Sequence, residues 1–98
     1  MSSYMPTSDE LEKALLIILF KSKVPMKTSE MVTAVGNYLF LAPELFEVRR
    51  ADNRRELNYR MAWARTHAKE KGHIENVGVG LWRISTKGAS ELGSQKKN

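Results

Sequence analysis

The chain has 98 residues, enough for one modest hydrophobic core and too few for a deep cleft between two lobes. Its longest apolar run, Ala14 to Phe20, falls far short of the roughly 20 residues a membrane helix needs, and the lack of cysteine excludes disulfides, thiolate metal sites and a thiol nucleophile. The formal charge is +5, but it is unevenly placed: residues 1–53 hold six Lys or Arg against seven acids and residues 54–98 hold ten against four, so the basic half suits a polyanionic partner.

The N-terminus, Met1-Ser-Ser-Tyr-Met-Pro6, has no basic n-region, and acids precede the apolar run. A secretory signal is not expected, and a cytoplasmic protein is the plain reading. Thr7-Ser-Asp-Glu10 is a capping-box pattern that starts a first helix near Ser8. From Leu11 to Phe20 that helix is apolar almost all round, so it is expected to be buried on more than one side and to end before Pro25. The alternative is that Leu15, Ile18 and Leu19 meet a partner helix.

Pro25-Met-Lys27 reads as an extended link, and Thr28 as the cap of a second helix with Glu30 in its first turn. Met31, Val32, Val35, Tyr38 and Leu39 give that helix one buried stripe. Pro43 opens a short helix carrying Leu45, Phe46 and Val48. Arg49-Arg-Ala-Asp-Asn53 is a charged loop, with Asp52 or Asn53 as the cap of the next helix.

That long helix is expected from about Arg54 to Lys71, closed by Gly72. Adding about 100° per residue from Leu57 groups Ala64, Leu57, Ala68 and Met61 on a buried side, with Trp63 and His67 on its shoulder. Arg54, Arg55, Asn58, Tyr59, Ala62, Arg65, Thr66 and Lys69 fill the opposite arc. After Gly72, a strand from Ile74 turns at Val77-Gly-Val-Gly80 and returns as Leu81-Trp-Arg-Ile84, a hairpin with one packed and one wet side. Thr86 would cap a last turn reaching Leu92, leaving residues 93–98 as a basic flexible tail after a single domain of residues 1–92.

This order predicts an α+β, mostly α, winged helix-turn-helix with three to four helices and a C-terminal β-hairpin wing. In that design the long helix enters the major groove of duplex DNA, which is about 12 Å wide and admits one helix. Asn58 and Arg65 can make the paired hydrogen bonds that distinguish adenine and guanine, and Arg54, Arg55 and Lys69 suit phosphates. Lys27, Thr28 and Ser29 stand at a helix N-terminus, where free N–H groups could hold another phosphate. The wing tip from Asn76 through Gly78 to Gly80, together with Lys87, would touch backbone or minor groove.

Tyr59-Arg-Met-Ala-Trp-Ala-Arg-Thr-His-Ala-Lys-Glu-Lys-Gly-His-Ile-Glu75, followed by Gly80-Leu-Trp-Arg-Ile-Ser-Thr-Lys-Gly88, resembles the N-terminal winged-helix domain of the Mrr family of restriction-system proteins. The shared pattern is Arg60, Trp63-Ala-Arg65, Lys69, Gly72, Ile74-Glu75, a glycine before Trp82-Arg-Ile84, and Gly88. The resemblance implies a module that targets a nuclease domain to modified DNA. It departs from the family where His67-Ala68 replaces an aromatic or leucine shoulder, and the chain stops where the catalytic domain would begin, so cleavage is not carried over.

The remaining features read blandly. Trp63 and Trp82 are both expected to fill the core rather than stack on bases. His67 and His73, six residues apart with no nearby cysteine or acid triad, are not expected to form a zinc site. Gly78-Val-Gly80 lacks the third glycine and the strand-to-helix setting of a dinucleotide loop. No pocket for a flipped base is visible. Neither a catalytic constellation nor a cofactor is expected, and Glu56, Glu70 and Glu75 read as surface charges. Double-stranded DNA is the expected partner, with no membrane, and with a homodimer or a fused or partnering nuclease domain as further assemblies. The alternatives are a transcriptional regulator, or a winged helix turned to protein–protein interaction.

Overall fold

A computed structural model describes residues 3–96, with side chains through Gly93. Helix α1 spans Ser8–Lys21 and starts as its sequence dictates: Glu10 N–H donates to the Thr7 hydroxyl at 3.1 Å, and Thr7 N–H donates to the Glu10 carboxylate at 3.0 Å. Leu11, Ala14, Leu15, Leu16 and Leu19 are all buried, which uses more than one side of the helix within the chain's own core.

Met26–Lys27, expected as a bare link, is a strand, β1. It pairs antiparallel with the returning strand of the hairpin, Met26 opposite Trp82 and Lys27 opposite Leu81. Helix α2 covers Thr28–Tyr38, with Met31 and Val35 buried. Its N-cap is Lys27 rather than Thr28, because the Thr28 hydroxyl is engaged elsewhere. The helix ends on Phe40 at φ 56°, with Phe40 N–H bonded to Asn37 O and Leu41 N–H to Gly36 O, the paired closure that usually recruits glycine. A 3-10 turn, Pro43–Glu47, comes next and buries Leu45.

Helix α3 spans Glu56–Glu70, later than expected. Neither Asp52 nor Asn53 caps it. Asn53 stands at φ 70° inside the loop, and the Asp52 carboxylate takes the backbone N–H and the guanidinium of Arg54 instead. The loop is closed by a bridge between Arg49 and Arg55 and by Glu56 N–H donating to Val48 O at 2.9 Å, which fixes Arg55 as the first extended residue before the helix. At the other end Gly72 adopts φ 77°, its N–H bonding Lys69 O while His73 N–H bonds Ala68 O. That closure needs a left-handed residue, and glycine supplies it without a Cβ clash.

Strands β2, Ile74–Gly78, and β3, Leu81–Ile84, form the hairpin, with a register shift between Asn76 and Gly78. The sheet order is β1-β3-β2. Helix α4, Thr86–Lys96, is longer than the single turn expected, and Ser85 rather than Thr86 sits before it, its hydroxyl accepting from Gly88 N–H at 3.0 Å. Lys97 and Asn98 of the expected tail lie outside the described residues. Helix α1 packs across α3, and the Leu57, Met61, Ala64 and Ala68 seam is at most 1 % exposed. Ile74, Trp82 and Leu92 close the same core from the sheet and α4. The result is an α+β, mostly α architecture consistent with a winged helix.

Candidate nucleic-acid interface

The buried seam of α3 turns the rest of the helix outward, and the structure divides that outward side into two faces. Asn58, Arg65 and Lys69 lie about a quarter turn from the seam by the ~100° step. Arg65 is turned toward α2 and the sheet, and Lys69 toward the sheet. The Arg65 guanidinium and the Lys69 ammonium each stand 5.8 Å from the centre of the Trp82 ring. Among the described residues, neither forms an ion pair.

Trp82 is buried as expected, and its indole N–H donates to the Thr28 hydroxyl at 2.9 Å. Thr28 in turn reaches the wing turn: its backbone N–H bonds Gly80 O at 2.9 Å, and its hydroxyl approaches the same carbonyl at 3.3 Å. The first N–H of α2 is therefore already used, and the Glu30 carboxylate takes the Lys27 N–H at 3.1 Å. Less of this helix end is open to a phosphate than a bare N-terminus would offer. The position of Thr28 and Ser29 is nonetheless central. They line both a hollow of about 310 Å³ shared with Arg55, Asn58 and Arg65, and another of about 380 Å³ shared with Lys27, Val79 and Gly80. One groove thus runs from α3 past the start of α2 to the wing turn, and no carboxylate lines it.

The outermost face of α3 looks into a third and larger hollow, about 990 Å³, lined by Arg49, Arg54, Arg55, Asn58, Tyr59, Ala62, Trp63 and Thr66. Trp63 is 48 % exposed, so the expected burial of this residue is overturned. Its place about 240° round from Leu57, beyond the perpendicular to the buried seam, was the signal that its hydrophobicity masked. Arg49, which composition alone assigned to a loop, joins the face because the Arg49 to Arg55 bridge folds that loop back over the helix.

The cations of this loop are organised unequally. Arg54 binds Asp52 through Nε and Nη2 at 2.9 and 2.7 Å, which holds the Asp52 carboxyl below its ordinary value and raises the guanidinium. Arg55 meets Glu47 at 3.6 Å. Arg50 lies 3.6 Å above the Tyr59 ring and pairs with Glu56, which also receives Arg60 at 2.7 Å. Arg49 donates to the Asn53 carbonyl at 2.7 Å and, among the described residues, forms no ion pair.

Two further expected contact residues lie at opposite ends of the hairpin. Lys87 stands beside Gly72 at the base of the hairpin, the end opposite the wing turn. Asn76 is near the tip, but its side-chain amide donates to Leu81 O at 3.1 Å and braces the shifted register. Gly78 is followed by the fully exposed Val79, and Gly80 alone of the two wing glycines has positive φ, at 64°. Of the two histidines, His67 tilts against Trp63 at 5.7 Å, and His73 is buried with Nδ1 unpartnered.

Comparison with protein families bears on the whole of this framework. The family model of the Mrr N-terminal domain matches residues 9–94. The chain belongs to the Mrr N-terminal domain family. That membership associates it with restriction systems, and the family is that of an N-terminal domain, not a catalytic one. Comparisons with curated proteins and with solved structures give no match. Among the described residues of this Mrr N-terminal domain, no helix is long and apolar enough to cross a membrane, and no group of three or more His, Cys, Asp or Glu is placed to hold a metal ion.

Proposed function

We propose that this Mrr N-terminal domain is a non-catalytic module that binds double-stranded DNA, with α3 in the major groove and the hairpin against the backbone. The observation that carries the reading is the acid-free groove in which Arg65 and Asn58, the start of α2, and Lys27 with the wing turn succeed one another. Guanidinium and carboxamide groups match base edges, and the flanking cations match phosphates. In a restriction system such a module directs a partnering or fused nuclease domain, and modified DNA is the target class to test first. A transcriptional regulator would use the same contacts, without the nuclease.

Fluorescence anisotropy with unmodified and cytosine-modified duplexes, and with single strands as control, tests the proposal. Binding should fall with salt at a log-log slope of roughly −0.9 per phosphate neutralised. Absence of affinity for any duplex at low salt would refute it.

A further inference from the structure

The groove formed by α2, α3 and the wing does not include the hollow's aromatic floor, and the core does not need it. The α3 seam is complete with Leu57, Met61, Ala64 and Ala68. Outside it, Tyr59, Trp63 and His67 recur at four-residue spacing and touch in sequence, with centroid distances of 6.5 and 5.7 Å. Neither neighbour stacks flat on the indole: Tyr59 meets it edge-on at 72°, and His67 is tilted by 40°. One face of Tyr59 is taken by the Arg50 guanidinium. Trp63 is the open ring.

We propose that the hollow over Trp63 is a stacking site for a nucleobase that has left the duplex. The inference rests on the duplex-binding reading, in that it supplies the strand from which the base comes. Three properties of the hollow select this ligand. It is about 990 Å³, at the upper end of the range for small-ligand sites and far larger than a methyl group requires. No carboxylate lines it, and although Arg54 and Arg55 on its rim are paired with Asp52 and Glu47, Arg49 forms no ion pair among the described residues and is the cation for the phosphate of the extruded nucleotide. Asn58 and Thr66 line the same hollow as Trp63, and among the described residues neither side chain has a hydrogen-bond partner, which leaves a carboxamide and a hydroxyl for the edge of the base. A flat, edge-polar, phosphate-bearing group meets all three conditions, because every base has a π-face while its edge still seeks hydrogen bonds.

The test titrates the 98-residue protein against three labelled oligonucleotides: a perfect duplex, the same duplex with one unpaired thymidine bulge, and the bulge-bearing single strand. The wild type should bind the bulged duplex roughly fivefold or more tighter than the perfect one, the scale of one base stacked on an aromatic ring. Trp63→Ala should abolish that preference at unchanged affinity for the perfect duplex, and Trp63→Phe should restore much of it. Arg65→Ala should lower affinity for both duplexes by the same factor. Equal binding of the two duplexes by the wild type overturns the stacking site, as does an equal loss on both for Trp63→Ala. Failure of the duplex reading looks different: no affinity for the perfect duplex, with Trp63-dependent binding of the single strand intact.

Discussion

The Trp82 indole donates its N–H to the Thr28 hydroxyl at 2.9 Å, across 54 residues of chain. That bond ties the central strand of the sheet to the first residue of α2, and Thr28 passes the connection on to the wing turn through Gly80. Arg65 and Lys69 stand over the same indole, so the base of the wing, the start of α2 and the cationic side of α3 share one anchor. Thr28→Val keeps the branched shape but leaves the buried indole N–H without an acceptor, a cost of about 1–3 kcal/mol. Thr28→Ser retains the hydroxyl and should recover most of that stability. Urea denaturation of the three proteins checks the order, and equal midpoints for Val and Ser would show that the bond contributes nothing.

Arg65 and Lys69 sit at equal distances from Trp82 but differ in chemistry. A guanidinium can make two parallel bonds to guanine, whereas an ammonium is a point charge suited to phosphate. Arg65→Ala is therefore expected to reduce discrimination between duplex sequences or modified bases by roughly 1–3 kcal/mol. Lys69→Ala is expected to weaken all duplexes alike and to lower the salt slope by roughly 0.9. Competition titrations at several salt concentrations separate the two outcomes. If neither change alters binding, α3 does not present this face to DNA.

The parts of the fold set by repeating patterns were legible in the sequence, and the parts set by distant contacts were not. Leu57, Met61, Ala64 and Ala68 keep to the helical period and are buried as it requires. The Thr7 and Glu10 capping box and the Gly72 closure are local chemistry, and both formed. Met26–Lys27 is too short to carry a period, and it is a strand only because Trp82 and Leu81 lie opposite. The start of α3 was misplaced because Asp52 spends its carboxylate on Arg54, a choice that depends on how the whole loop closes. For the candidate site, the α3 residues that line its hollows were readable from helical angle, while the exposure of Trp63 and the arrival of Arg49 were hidden behind hydrophobicity and loop geometry respectively.

Gly88 and Gly93 lie in the same helix and should respond oppositely to alanine. A Cβ on Gly88 would fall 2.1 Å from the His73 carbonyl oxygen, and this is backbone that cannot rotate away. Gly88→Ala should therefore push α4 off the hairpin base and destabilise by about 1–3 kcal/mol. Among the described residues, a Cβ on Gly93 would meet no atom within 4 Å beyond its chain neighbours and its own helix backbone, and alanine should stabilise by about 0.5–1 kcal/mol through helix propensity. Thermal melts of the two variants check the signs. A tolerated Gly88→Ala would mean that α4 does not sit against His73.

The ion pairs at the start of α3 couple the protonation of Glu56 to the stability of the fold. Glu56 accepts from Arg60 at 2.7 Å and from Arg50 at 3.1 Å, and chiefly the Arg60 bond holds its pKa below the ordinary 4.5. A carboxyl with a depressed folded-state pKa contributes stability that is present above the unfolded value and is lost as pH falls through the folded one. Wild type should therefore be more stable than Glu56→Gln at neutral pH, with the gap narrowing below about pH 4.5 and closing in stronger acid. The same logic with the opposite sign applies to Lys71, whose pKa is raised chiefly by its 2.8 Å bond to the buried Glu12 carboxylate. Its contribution is present below the ordinary 10.5 and is lost as pH rises through the higher folded value. Urea midpoints for wild type and Glu56→Gln across the acid range decide the point: a gap that stays constant down to the lowest pH would show that the Arg50, Glu56 and Arg60 cluster does not couple protonation to folding.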